Sequence, residues 1–239
     1  MEQYSEKGSK RMLQFLLTKH KEILSEKLKE KNIESLYLFP DDNGVFHEHQ
    51  LNNKIIMDKL GLSRNDWKNF WPARQPQWDG ILVNENKNTI YLIEAKSHIG
   101  EIGRRTKPKE QSVQQENNSK TISKAIQEYA KKRYGILEDE KDKEWLWKYY
   151  QIANRLAFHQ KLKDLYEESK QQISVKLIFL NFIKDPTWGK KAAQSKDDWD
   201  SKYCGIFKEM GLDKKKLENQ GVIFINDIDV SSFNDNLKS

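Results

Sequence analysis

Apolar residues recur every three or four positions at the start of the chain, and the pattern changes to short, dense apolar runs at 78–83 and 89–96. Over 9–31, Leu13, Leu17, Leu24 and Leu28 form one stripe with Leu16 and Ile23 beside it, which predicts one helix. The segment 32–50 is mixed, with an Asp-Asp-Asn-Gly turn at 41–44. A short helix is expected at 53–60, ended by Gly61. Ser63 with Asp66 reads as the capped start of another helix, stopped by Pro72. The stretches 78–83 and 89–96 then read as two strands joined by the polar turn 84–88. Both are apolar at alternate and intervening positions, as in strands covered on both faces. Residues 98–118 are polar and carry no clear period. Helices are expected at 119–134 and 142–168, a strand at 175–183, a helix at 197–210 ended by Gly211, and a last strand at 221–225.

This order predicts an α/β protein with a mixed central sheet flanked by helices. Residues 1–71 read as an N-terminal helical segment packing on a core of 72–228, and 229–239 as a flexible tail. No internal repeat or long Gly/Ser linker interrupts it.

Composition narrows the function classes. Of 239 residues, 33% are charged and 36% apolar, and the net charge of +6 suits a polyanionic partner. An aromatic content of 11%, including seven Trp, argues against disorder. A single cysteine, Cys204, excludes an internal disulfide framework and a cysteine zinc site, and reads as a small buried hydrophobe. No apolar run approaches the roughly 20 residues of a membrane helix. The start MEQYSEKGSK lacks a signal peptide's apolar stretch, so a soluble cytoplasmic protein is expected.

The chemistry lies in the hairpin. Folding the chain between Asn86 and Lys87 places Asp79 opposite Glu94, Ile81 opposite Leu92 and Val83 opposite Ile90. Opposed side chains have Cβ atoms roughly 4.5–5.5 Å apart. Lys96 shares the face of Glu94, since side chains alternate along a strand. Two carboxylates about 4 Å apart repel by roughly 4 kcal/mol at an effective dielectric near 20. Lys96 offsets part of this, and a divalent cation offsets more. Mg²⁺, with Mn²⁺ as substitute, suits two carboxylates plus the Ala95 carbonyl and retained waters. Such an ion polarises a phosphodiester and acidifies bound water, while Lys96 orients or deprotonates that water or stabilises charge on phosphate. The rival account makes Asp79 a strand cap and Glu94–Lys96 an exposed ion pair. Residues 90–93 are too apolar for an exposed edge.

Asp79, a hairpin and then Glu94-Ala95-Lys96 ending an apolar strand resemble the PD-(D/E)xK nuclease superfamily, with its restriction-endonuclease-like fold. The stretches 74–79, 94–98 and 150–157 also resemble a group of small bacterial members. Trp78 stands where that pattern often has Pro. The resemblance spans roughly 70–185 and implies that Asp79 and Glu94 bind Mg²⁺ while Lys96 assists the attacking water. Many members add an acid from an early helix, for which Glu22, Glu26 and Glu34 are available; many cut duplex DNA as homodimers.

Other residues carry weaker signals. Arg104, Arg105, Lys107 and Lys109 follow Lys96 closely enough to contact a phosphate backbone, or form a solvated loop. Glu101 is an outer acid behind the metal ligands, an additional metal acid, or a helix-start carboxylate. Trp67, Trp71 and Trp78 stack bases or belong to the core, leaving Arg74 and Gln75 to reach solvent and read base edges. Gln151, Asn154 and Arg155 interrupt an apolar helix and position Glu94, contact phosphate, or form a structural network. His47 and His49 share a strand face without a third ligand. The expectation is a Mg²⁺-dependent nuclease acting on DNA, with a non-hydrolytic nucleic-acid- or protein-binding module on the same fold as the alternative.

Overall fold

The computed structural model describes residues 7–33, 36–38, 48–84, 86, 88–102, 113–137 and 140–236. It is an α/β protein whose mixed sheet runs β1 (Leu36–Leu38), β2 (Gly80–Asn84), β3 (Thr89–Lys96), β4 (Ser174–Ile183) and β5 (Val222–Asp229) in sequence order. β1 and β2, and β2 and β3, pair antiparallel; β3–β4 and β4–β5 pair parallel. Each parallel pair needs a crossover, and helices supply both.

Alternation divides the strand residues between two cores. Ile81, Val83, Ile90, Leu92, Leu177 and Phe179 join one cluster; Leu82, Tyr91, Ile93, Ile178 and Leu180 join the other. The first face is covered by α3 (Lys54–Leu60), α4 (Val113–Ile126), α5 (Tyr150–Glu168), α6 (Lys196–Met210) and α7 (Lys214–Asn219). The second is covered by α1 (Gly8–Lys19) and α2 (Lys21–Lys29).

The helix expected over 9–31 breaks at His20 (φ −132°), whose ring stacks on Phe233 at 4.2 Å. Two shorter helices thus follow different strands, α1 against β3 and α2 against β5. α3 begins at Asn53, whose side chain caps the Ile55 N–H, and ends at Gly61 in the left-handed region (φ +67°). Ser63 and Asp66 do form a capping box, but the helix is only the single 3₁₀ turn Arg64–Trp67. Between β3 and β4 the chain is helical with interruptions, π turns at Gln127–Lys131 and Glu144–Lys148 replacing the two continuous helices expected. Buried Lys131 bridges them by donating to Asp142 at 2.5 Å.

Three boundaries shift. Residues 1–71 are not solely helical, since β1 adds a strand and His49 bridges Trp78. β5 runs four residues past the expected Ile225, because its polar residues have partners: Asn226 with Asn181, Asp227 with Lys27, Asp229 with Lys184. The segment read as a tail from 229 is anchored through 233, with Val230 and Phe233 fully buried. Cys204 is exposed rather than buried, because Trp199, Tyr203, Ile206, Phe207 and Met210 take the inner stripe of α6.

α5 is held on the sheet from both ends. Its N-terminal turns reach Glu94 near the end of β3. Further along, His159 Nε2 donates to the Val175 carbonyl at the start of β4, at 3.1 Å. Burial pushes the His159 imidazole down to about 3, so it is neutral near pH 7.

Candidate functional site

The β2–β3 ladder has the expected register: Ile81 opposes Leu92 and Val83 opposes Ile90. The last ladder pair is Gly80 with Ile93, so the next step puts Asp79 and Glu94 together at its open end. Asp79 is partly exposed and Glu94 is buried, and both sit near the carboxyl end of β3 beside the parallel strand β4. Open α/β sheets bind ligands outside the carboxyl ends of their strands.

Each carboxylate has its own environment. Asp79 Oδ2 accepts the Ala95 backbone N–H at 2.7 Å. Its Oδ1 has no hydrogen-bond partner among the described residues. Burial, and then the Glu94 charge, push the Asp79 carboxyl up to about 7. Glu94 accepts from three side chains. Its Oε1 accepts from Lys96 Nζ and from Gln151 Nε2 at 2.6 Å, and its Oε2 accepts from Arg155 Nε. Burial would raise its carboxyl, but Arg155 and Lys96 hold it below the usual range. Lys96 Nζ also donates to the Ala95 carbonyl at 3.0 Å. Arg155 spends its remaining donors on the Gln77 carbonyl at 2.7 Å and on Asn154 at 3.1 Å, and lies 4.6 Å from the Trp78 ring centre. Gln151, Asn154 and Arg155 thus hold the site from α5.

Two carboxylates face two cations, so the set is neutral when fully ionised. The open Asp79 oxygen, Glu94 and the Ala95 carbonyl fit a hard divalent ion that keeps waters of its own. Among the described residues, no cluster of three or more His, Cys, Asp or Glu side chains is placed to hold a metal ion.

Other expected residues fall elsewhere. Glu101 belongs to a turn: it accepts from the Ser97 N–H at 2.5 Å and the His98 N–H at 3.2 Å, and reaches the Ser9 N–H at 3.5 Å. Gln75 does not reach solvent. It is buried and accepts the Asn52 N–H at 3.1 Å, because the chain before the hairpin folds back on the turn before α3. Arg74 is exposed. Trp67, Trp71 and Trp78 are core residues. Glu22 and Glu26 are exposed on α2, which packs on the face opposite the α5 cluster. Glu34, His47, Arg104, Arg105, Lys107 and Lys109 lie outside the described residues.

A polar network behind the site was not anticipated. Asn181, opposite Lys96 on β4, donates to Asn226 at 2.7 Å and accepts from the Tyr203 hydroxyl at 3.1 Å. Asn226 donates to Asp200 at 2.9 Å. Burial pushes the Tyr203 phenol upward, so it remains a donor. The visible signal was one Asn inside the apolar run 177–183.

Scans against protein-family models, curated proteins and solved structures find no match to this chain. No helix among the described residues is long and apolar enough to cross a membrane.

Proposed function

We propose that the protein is a metal-dependent nuclease that hydrolyses phosphodiester bonds, with DNA as its substrate. The observation that carries this reading is the opposition of Asp79 and Glu94 at the open end of a buried hairpin, with Lys96 bonded to both Glu94 and the Ala95 carbonyl. Asp79, Glu94 and the Ala95 carbonyl would hold Mg²⁺ or Mn²⁺. When bound, that ion supplies Lewis-acid polarisation of the phosphodiester and a more acidic water.

The chain's own residues do the rest. Gln151 and Arg155 hold Glu94 in one orientation. Lys96, held by Glu94 and the Ala95 carbonyl, orients the attacking water and stabilises negative charge on the phosphate. The neutral set of two acids and two cations becomes net positive on taking up a divalent ion, which favours an anionic substrate. The overall charge of +6 acts in the same sense at longer range.

A non-hydrolytic binding module on this fold is the second reading, favoured by the protein donors already on both Glu94 oxygens. Supercoiled plasmid with Mg²⁺ or Mn²⁺, treated with wild type or Lys96→Ala, separates the two. Nicking or linearisation by wild type, stopped by chelator and reduced at least about a hundredfold in the variant, supports the nuclease. Equal gel shifts by both proteins without cleavage sink it in favour of the module.

A further inference from the structure

A phosphate arriving at this site needs donors, and the described cations around Glu94 are turned inward. Arg155 divides its nitrogens among Glu94, Gln77 and Asn154. Lys96 bonds Glu94 and the Ala95 carbonyl, and Gln151 bonds Glu94. Two residues beyond Lys96, His98 is arranged differently. β3 ends at Lys96 and the chain bends at Ser97, but two residues span at most roughly 7 Å, so His98 stands at the same end of the sheet.

The His98 ring is held by two neighbours, Gly100 and Trp188. The Gly100 N–H donates to its Nδ1 at 2.9 Å. Its ring centre lies 4.1 Å from that of Trp188, tilted by 56°. Trp188 is itself pinned, since its indole N–H donates to Ser97 Oγ at 2.8 Å. Gly100 also lies so close that a Cβ there would come within 2.6 Å of His98 Cε1 and 3.0 Å of Nδ1. No side chain fits at position 100 while the ring stays in place.

This packing decides the tautomer. An Nδ1 that accepts from a backbone N–H carries no proton, so the neutral ring holds its proton on Nε2. That N–H has no partner among the described residues, and His98 is partly exposed. It is a rigid donor of fixed direction, built next to the one segment that holds both Glu94 and Lys96.

We propose that His98 is a substrate-contacting residue of this site, its Nε2–H donating to a phosphate oxygen of the bound strand. The assignment rests on the nuclease reading above. Gly100 and Trp188 are positioning residues that act through the His98 ring.

The test compares wild type, His98→Ala, His98→Gln, Gly100→Ala and the His98→Ala/Gly100→Ala pair. Steady-state cleavage of plasmid and thermal unfolding are measured for each. His98→Ala should lower kcat/KM about 10- to 100-fold, the scale of one hydrogen bond to a charged group, while the lost cap and ring contact lower the unfolding midpoint by only a few degrees and leave the protein folded at the assay temperature. His98→Gln, whose amide N–H can reach a similar position, should recover most of the loss. Gly100→Ala should reproduce the defect by displacing the ring, and the pair should be no worse than His98→Ala alone. Wild-type cleavage with undiminished activity in His98→Ala overturns the assignment and leaves the nuclease reading standing. A pair worse than either single variant also overturns it, because Gly100 would then serve the turn itself. Absence of wild-type cleavage with Mg²⁺ and Mn²⁺ removes the nuclease reading, and the His98 assignment falls with it.

Discussion

Asp79 and Glu94 sit side by side, yet their surroundings push their protons in opposite directions. Asp79 has one backbone donor and a neighbouring negative charge, so its carboxyl rises to about 7. A carboxyl raised on folding favours the native state below its unfolded value near 4, and that advantage is lost as pH climbs towards 7. Asp79→Asn, which removes the charge, should therefore stabilise the metal-free protein at pH 8 by about 1–2 kcal/mol, or roughly 2–8 °C in Tm. The gain should vanish near pH 4; thermal scans across that range read it directly. Glu94 has the opposite dependence. Its lowered carboxyl supports the fold above the usual carboxylate range and stops doing so as pH falls through its native value. Arg155→Met leaves that buried charge short of a partner and should cost about 3–5 kcal/mol by denaturant titration. The pairing of these two acids was legible in the sequence, since a five-residue polar turn between apolar runs fixes the register. The fate of Gln75 was not, because its partner is the Asn52 backbone, 23 residues away in the chain.

At the scale of elements, the places where the sequence misled share one cause. Strand and helix ends were legible where a local residue sets them: Gly61, Gly211 and the Ser63–Asp66 box. They were not legible where the deciding contact comes from afar. The break at His20 goes with a stack on Phe233, and the polar end of β5 is held by Lys27, Asn181 and Lys184. Phe233 is thus a structural residue of α1 and α2 as much as of its own segment. Phe233→Ala should cost about 3–5 kcal/mol and loosen the α1–α2 junction. Chemical denaturation measures the first effect, and faster amide exchange around residues 19–23 the second; wild-type stability in the variant would refute the anchoring role.

Among the described residues, the sheet carries one cluster on each face, and β3 and β4 lie near its centre. Their residues Ile90–Ala95 and Leu177–Phe182 are almost wholly excluded from solvent. Amide exchange should be slowest there and should occur only through global unfolding, while amides of α2 and of the turn Ile99–Glu101 exchange faster through local opening. Uniform protection across the chain would contradict this division. The near-continuous apolar character of 90–93 and 177–180 made this layering readable in advance.

The clamp on Glu94 arrives late in the chain. Gln151 and Arg155 lie 57 and 61 residues beyond the acid they hold. A nascent hairpin emerging from the ribosome already has its two acids and its amine, but only Lys96 is then at hand to hold Glu94. The other two donors come only when the long helical excursion returns and docks. The donors from α5 thus join the hairpin only after that helix has been made, and a chain ending before residue 151 lacks both.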